Sequence, residues 1–526
     1  MHLPSLAFLA PLLLGTSVQG RFLLYSDEWH PDIPTNAADV AGVDHVILAF
    51  APAAGGEFKS ATRIPDIKAK FPNAKIMAAI GGWGDDTFSQ QVTSDAAITG
   101  FVSRIVQLIQ TNKLDGIDID WEYPGGNGED YKVHPNSEKT GEIKAFPKLL
   151  KATYTAIKAL GQDKLLSIAT PGKKTDMIAY LPETAADIYN NVDYVNIMAY
   201  DLMNRRDKVT NHHTSVVDVN NTVWNYLDLG FPPEKLNLGF AYYAKYFTTK
   251  GDCSKQPLGC EIVEAENPVT GNDTHTSGAF TFEKKNMQPV DMSKVTPSYS
   301  GMCGLNTQTG ALESCPAGSC CSESNYCGNS EAHCSAGCQH AFSTGCTGPD
   351  VAGSWQAAAK NGVVDEVKGG KYYFDPKEKL FWTWEDKDLI ARKFADIVDT
   401  LGLGGVFAWS LGEDSNDWSH ITTMSAQVAK LSSTSPKLSS VALSTGGENL
   451  TQNEASVKGD SSTVLLGDAD MAQPAEKEQE PADQYYDDDQ ATEGGDDATY
   501  SGEYDDGSYT GEEQDDADSE WVWYKG

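Results

Sequence analysis

Residues Leu114–Pro124 read LDGIDIDWEYP and hold four carboxylates: Asp115, Asp118, Asp120 and Glu122. Side chains alternate faces along a strand, so Asp118, Asp120 and Glu122 share one face while Ile117, Ile119 and Trp121 share the other. Neighbours on the acidic face stand roughly 7 Å apart, two strand rises. Asp115 has the opposite parity, sits where the strand begins and reads as structural. Repulsion and lost hydration raise the pKa of the least solvated carboxyl, which is how a protonated acid persists at neutral pH. Two plainer readings compete. A solvated edge strand fits poorly with an Ile/Ile/Trp background. A calcium or magnesium loop needs a Gly turn between its ligands, whereas Gly116 lies near the start.

The elements that must position these acids follow a regular rhythm from Arg21 onward, short apolar runs alternating with longer amphipathic segments. Eight runs read as strands: Phe22–Tyr25, His45–Phe50, Lys75–Ile80, Gly116–Trp121, Leu165–Thr170, Tyr194–Ala199, Leu236–Tyr242 and Gly405–Ser410. Ile98, Phe101, Val102, Ile105 and Ile109 mark the buried face of one intervening helix. Others are expected over Leu149–Leu160 and Leu389–Leu401. Eight such units predict an α/β fold, a (β/α)8 TIM barrel, whose site lies at the C-terminal ends of the strands, where Glu122 falls. An open doubly wound sheet is the alternative, but no Gly-rich phosphate loop follows any strand.

D-G-I-D-I-D-W-E-Y-P resembles the D-x-x-D-x-D-x-E signature of family 18 glycoside hydrolases, the chitinases. The resemblance implies that Glu122 is the general acid, with Asp120 beside it and Asp118 behind. Ala79-Ile80-Gly81-Gly82-Trp83 looks like the family's S-x-G-G motif, with Ala79 in place of the Ser that bonds the inner Asp. Tyr25 resembles the family Tyr that bonds the same Asp and is also a candidate substrate contact. Met198-Ala199-Tyr200-Asp201 matches the motif after the sixth strand, which implies that Tyr200 holds an N-acetyl group and Asp201 binds sugar hydroxyls. Trp409 matches the Trp on which the reacting sugar stacks; Trp83 and Tyr123 are platforms for adjoining sugars.

Between Tyr243 and about Glu385 the rhythm stops, too long for an ordinary loop. The resemblance implies an α+β insertion after strand 7, residues 245–385, forming one wall of a substrate groove, with Lys371–Trp384 supplying returning strands. Tyr243-Ala244-Lys245 stands where the family shows Y-G-R. Within the insertion, residues 300–347 hold eight cysteines, and Cys320-Cys321-Ser322 with Tyr326-Cys327-Gly328 resembles a hevein-type chitin-binding module. That resemblance implies the pairs Cys303–Cys321, Cys315–Cys327, Cys320–Cys334 and Cys338–Cys346. It also implies sugar contacts at Ser322 and Tyr326, while Ser324 and His333 replace two stacking aromatics, so weak chitin affinity is expected. Cys253 and Cys260 are close enough to close a local loop.

The chain has 526 residues, ten cysteines and a formal charge of -35. The acidity excludes nucleic acid as a partner, since phosphate backbones need a basic footprint. Met1–Gly20 carries an apolar run, Leu6–Leu14, before small residues near Gly20, and reads as a signal peptide, residues 1–20. No later run reaches the ~18 apolar residues of a membrane span. Cysteine usage and sequons at Asn220, Asn272 and Asn449 fit a secreted protein of the extracellular space or cell wall. After the catalytic region, residues 21–430, the chain turns polar and acidic: from Met471 to Gly526, 19 acids face 2 lysines. Residues 431–526 are expected to be a disordered tail.

The resemblance implies a monomeric chitinase that hydrolyses β-1,4 bonds between N-acetylglucosamine units of chitin, or of its oligomers, without cofactor or metal. The mechanism implied is retaining and substrate-assisted, through an oxazolinium ion. The alternatives are a non-catalytic chitin lectin on the same barrel, and an endo-β-N-acetylglucosaminidase acting on N-glycans. Exo or endo attack is left open.

Overall fold

The computed structural model describes residues 20–433 apart from 307, 308 and 336. Residues 1–19 of the expected signal peptide, Asn449 and the part of the expected acidic tail beyond 433 lie outside the described residues. Eight parallel strands close a barrel, each paired with its neighbours and the first with the last. They are Arg21–Ser26, His45–Ala51, Lys75–Gly81, Gly116–Asp120, Leu165–Thr170, Tyr194–Ile197, Leu236–Ala241 and Gly405–Trp409. Each expected strand is present, with ends displaced by at most two residues.

Strand parity sorts the side chains into two cores. Phe22, Leu24, Val46, Leu48, Ile117 and Ile119 face outward against the helices. Leu23, Tyr25, Ile47, Met77, Ala79, Phe407 and Trp409 fill the barrel interior. Burial on both faces is why the strands read as continuous apolar runs, not as alternating ones. Helix Asp95–Asn112 begins at Ser94, whose hydroxyl caps Ala97 N at 3.2 Å, and buries Ile98, Phe101, Ile105 and Ile109. Val102 is only half-buried at the edge of that stripe.

Two helices differ from expectation. The one expected from Leu149 starts at Glu142 and runs through Pro147, a residue that reads as a breaker. Glu142 anchors that earlier start by accepting the Gly125 N–H at 2.9 Å. The one expected over Leu389–Leu401 is α-helical over Lys387–Lys393 and widens into π-helical turns over Phe394–Asp399. A last helix, Ser419–Ser433, extends slightly past the expected end of the catalytic region.

The insertion builds a five-stranded antiparallel sheet in the order Val363–Asp365, Gly370–Asp375, Leu380–Trp384, Tyr243–Thr248, Ser277–Thr281. Lys371–Trp384 thus does supply returning strands. Helix Val351–Asn361 covers the sheet, with Trp355 packed against Trp382, Trp384, Phe280 and Phe282. The cysteine-rich segment lies between the Ser277–Thr281 strand and this helix. Its four disulfides are Cys303–Cys321, Cys315–Cys327, Cys320–Cys334 and Cys338–Cys346; Cys253–Cys260 closes a separate loop. Short strands with little apolar core depend on such crosslinks.

Of the two described sequons, Asn272 stands exposed after a turn. Asn220 is half-buried within helix Val216–Asp228, and its Thr222 is buried and donates to Gly172 O at 2.9 Å, so it is not the exposed acceptor a secretory glycan needs. No helix among the described residues is long and apolar enough to cross a membrane.

The third strand ends in a conformation that only glycine tolerates. Gly81 has φ +102°, and a Cβ there would lie 2.4 Å from both Asp120 O and the Phe88 ring. We predict that Gly81→Ala lowers stability by about 2–5 kcal/mol through strain and overpacking. Chemical denaturation checks this, with Gly402→Ala, also at positive φ but with open space around it, expected to lose less.

Candidate active site

Three adjacent strands fix the innermost acid. Register places Ala79 of the third strand and Ser167 of the fifth on either side of Asp118 in the fourth. Asp118 is fully buried. Its Oδ1 accepts from Ser167 Oγ at 2.5 Å and from Asn196 Nδ2 at 3.1 Å, and its Oδ2 from Tyr25 OH at 2.8 Å. Burial pushes its pKa up to about 6, against the pull of these three donors. The absent serine at position 79 is therefore compensated by Ser167 on the opposite neighbour, a residue sequence reading missed.

The network continues across the barrel floor. Asn196 also donates to Tyr25 OH at 3.0 Å, its Oδ1 accepts from Asn237 Nδ2 at 2.7 Å, and Asn237 Oδ1 accepts from Arg21 Nε at 3.0 Å. Polar residues inside otherwise apolar strands were the available signal for Asn196 and Asn237. Tyr25, expected also as a substrate contact, is 1% exposed. It is committed to Asp118 and its burial removes it from the substrate surface. Asp115 is structural as expected, accepting Ile76 N at 2.9 Å beside Lys164.

Above Asp118 the carboxylates rise toward solvent: Asp120 is 1% exposed and Glu122, past the strand end, is half-buried. Glu122 lines a pocket together with Trp83, Tyr123, Met198, Tyr200 and Asp201. Six residues singled out from sequence thus meet in one cavity. Burial, then the nearby Asp120, holds the Tyr200 phenol well above its usual pKa, so it stays a neutral hydroxyl. Burial and the adjacent Glu122 do the same for Tyr123. Asp201, at φ +54°, accepts the Tyr243 hydroxyl at 2.8 Å and pairs with buried Lys245 at 3.3 Å. Tyr243 and Lys245 therefore earn their place by fixing Asp201.

Trp409 is 7% exposed, with Phe50 stacked on it at 5.5 Å and 19° and Tyr25 tilted against it at 5.7 Å. In the inserted segment Ser322 Oγ accepts the Tyr326 N–H at 3.2 Å, and Tyr326 is 55% exposed. Ser324 is exposed and offers no ring, while His333 bonds Ser330 Oγ at 2.7 Å.

The family model for glycosyl hydrolases family 18 matches residues 21–414. The chain belongs to that family. Among curated relatives it is 28% identical over 228 residues to Chitotriosidase-1 of Mus musculus, covering 39% of this chain and 47% of that protein. It is 34% identical over 188 residues to sporulation-specific chitinase 2 of Saccharomyces cerevisiae, covering 34% and 35%. The matches thus span about half or less of these relatives. The Group IV chitinase of Ostrinia furnacalis, solved with allosamidin, superposes with a TM-score of 0.53 at 18% identity, over 78% of this chain and 99% of that one. A class V chitinase mutant of Cycas revoluta, solved with (GlcNAc)3, gives 0.52 at 18%, over 77% and 99%. Both likenesses speak to the barrel fold.

The Asp118 cradle yields a test. Ser167→Ala removes a hydrogen bond to a buried carboxylate, a loss of about 1.5–3 kcal/mol, and drives the Asp118 pKa further up. We predict that adding Ala79→Ser, on the other side of Asp118, recovers most of that stability. Denaturation of the single and double variants at neutral pH checks it.

Proposed function

We propose that this family 18 member is a chitinase, hydrolysing β-1,4 bonds between N-acetylglucosamine units with retention and with help from the substrate's own acetamido group. One observation carries the reading. Glu122 lines the pocket beside Tyr200, just past the end of the strand that carries Asp118 and Asp120, while Tyr243 and Lys245 fix Asp201 and the Asn127 amide donates to Asp176 at 2.9 Å. The pocket thus sets an acid, Glu122, beside a neutral hydroxyl donor, Tyr200, the pairing an acetamido-assisted site needs in place of the acid and carboxylate nucleophile of an ordinary retaining site.

Glu122 gives its proton to the glycosidic oxygen as that bond breaks, while the 2-acetamido oxygen attacks the anomeric carbon and forms an oxazolinium ion. Asp120, buried below Glu122, orients the acetamido N–H and balances the positive ring. The Tyr200 hydroxyl donates to the acetamido oxygen and positions it. Water, deprotonated by Glu122, then opens the ring. Asp118 stays beneath, held by Tyr25, Ser167 and Asn196, and keeps Asp120 upright.

Secretion fits the Leu6–Leu14 run and the pairing of all ten cysteines. The inserted module binds chitin weakly in this reading, since Tyr326 is the one aromatic kept at the matched positions.

Glu122→Gln keeps the shape and removes the acid. It is expected to lower release of products from soluble N-acetylglucosamine oligomers by about 10²- to 10⁴-fold. Equal cleavage by both proteins would place the acid elsewhere, and equal cleavage of a fully deacetylated chain would end the acetamido mechanism. On insoluble chitin, with Glu122→Gln as the background so that the polymer survives, Tyr326→Ala should weaken retention about two- to tenfold. Retention as tight as that of an aromatic-rich hevein module contradicts the weak-binding reading.

A further inference from the structure

The pocket is bounded beyond Trp83 by two consecutive arginines, Arg205 and Arg206, on the loop after the sixth strand. Their guanidinium carbons lie 5.7 and 5.3 Å from the centre of the Trp83 ring. Both reach one carboxylate from the insertion: Glu266 Oε2 accepts from Arg205 Nε at 3.2 Å and from Arg206 Nε at 3.1 Å. The other Glu266 oxygen accepts the Tyr131 hydroxyl, from the loop after the fourth strand. Arg206 then spends its two terminal nitrogens on the carbonyls of Asn127 and Gly128, at 2.8 and 2.9 Å, and its guanidinium lies over the Tyr131 ring at 4.1 Å.

Three loops far apart in sequence are therefore joined around Glu266. The side chains of Arg205 and Glu266 are each only 6% exposed. A buried carboxylate that two guanidinium groups share is hard to remove, because Arg206 would lose its ion pair and Arg205 would keep only the longer ones to Glu129 and Asp273, at 3.8 and 3.9 Å. Hydrogen bonds fixed in this way make a wall, not a mobile fringe. A sugar chain running from Glu122 along Trp83 would reach the two arginines that line the pocket there. Cutting a long polymer internally requires chain to continue on both sides of the broken bond, so a wall on one side selects positions near a chain end.

We propose that Glu266, as a positioning residue, clamps Arg205, Arg206 and Tyr131 into a strap that ends the cleft beyond Trp83 and makes the enzyme cut close to chain ends. This rests on the chitin-cleaving reading above and adds its mode of attack. Neither Glu266 nor Tyr131 lines the pocket, so the strap is opened without touching the reacting groups.

The test uses the full chain, Glu266→Gln and Tyr131→Phe on soluble glycol chitin, following viscosity and new reducing ends together, with a short N-acetylglucosamine oligomer as control. Wild type should release reducing ends with little viscosity loss. Glu266→Gln should raise the viscosity lost per reducing end about threefold or more while its rate on the oligomer stays within about twofold. Tyr131→Phe should move the same ratio in the same direction and carries the comparison if Glu266→Gln does not fold. A merely structural brace would change thermal stability and leave the ratio fixed. An unchanged ratio in folded variants, or a wild type that already thins the polymer like a random cutter, overturns the strap. A wild type that releases nothing from polymer or oligomer overturns the chitin-cleaving reading itself, before any variant is compared.

Discussion

The site depends on burying one charge-bearing group, Asp118, in the middle of an apolar barrel. A carboxylate without partners there would protonate or unfold its surroundings. Three donors from three different strands prevent this, and each must be in register for the geometry to close. The constraint therefore runs both ways: the barrel positions the acid, and the acid rewards only one strand register. Asn196, Asn237 and Arg21 extend the same demand across the floor, since each satisfies the polar atom of the next.

From that floor the chemistry is graded by distance to solvent. Asp118 is sealed, Asp120 is nearly so, and Glu122 alone of the three lines the open pocket. Alternation along one strand supplies the common face, but the strand ends at Asp120, so Glu122 projects from the turn beyond it. The glycines that close the third strand serve the same layer: Gly82 N bonds Asp120 O at 2.9 Å, and Gly81 leaves the room that this approach requires. A strained backbone and a buried carboxylate are thus one local solution to placing an acid at a barrel mouth.

Much of this was legible because the signals are local. Short, mainly apolar runs marked the strands, and the alternating acids of the fourth marked the site. The donors to Asp118 were not legible in the same way. Ser167 sits in LLSIAT and Asn196 in YVNI, where a single polar residue carries no sign of its partner until the strands pair. The start of the helix at Glu142 was hidden by Pro147, because tertiary packing overrode a local breaker. Tyr25 was half-read: its partnership with Asp118 followed from resemblance, but its burial depended on Phe407 and Trp409 packing over it.

The mouth shows why a strongly acidic protein can still present cations to its cleft. Arg205 and Arg206 are matched by Glu266, Lys173 by Asp207 at 2.8 Å, and Lys245 by Asp201 at 3.3 Å. Each cation is spent on a neighbouring loop, so it shapes the rim without creating a strong field. The neutral sugar polymer proposed as substrate would gain nothing from long-range steering, which acts on charged ligands. It gains from flat rings, fixed hydroxyl donors and a rim that does not move. Paired charges at the mouth and neutral hydroxyls fixed beside Glu122 are two expressions of that requirement.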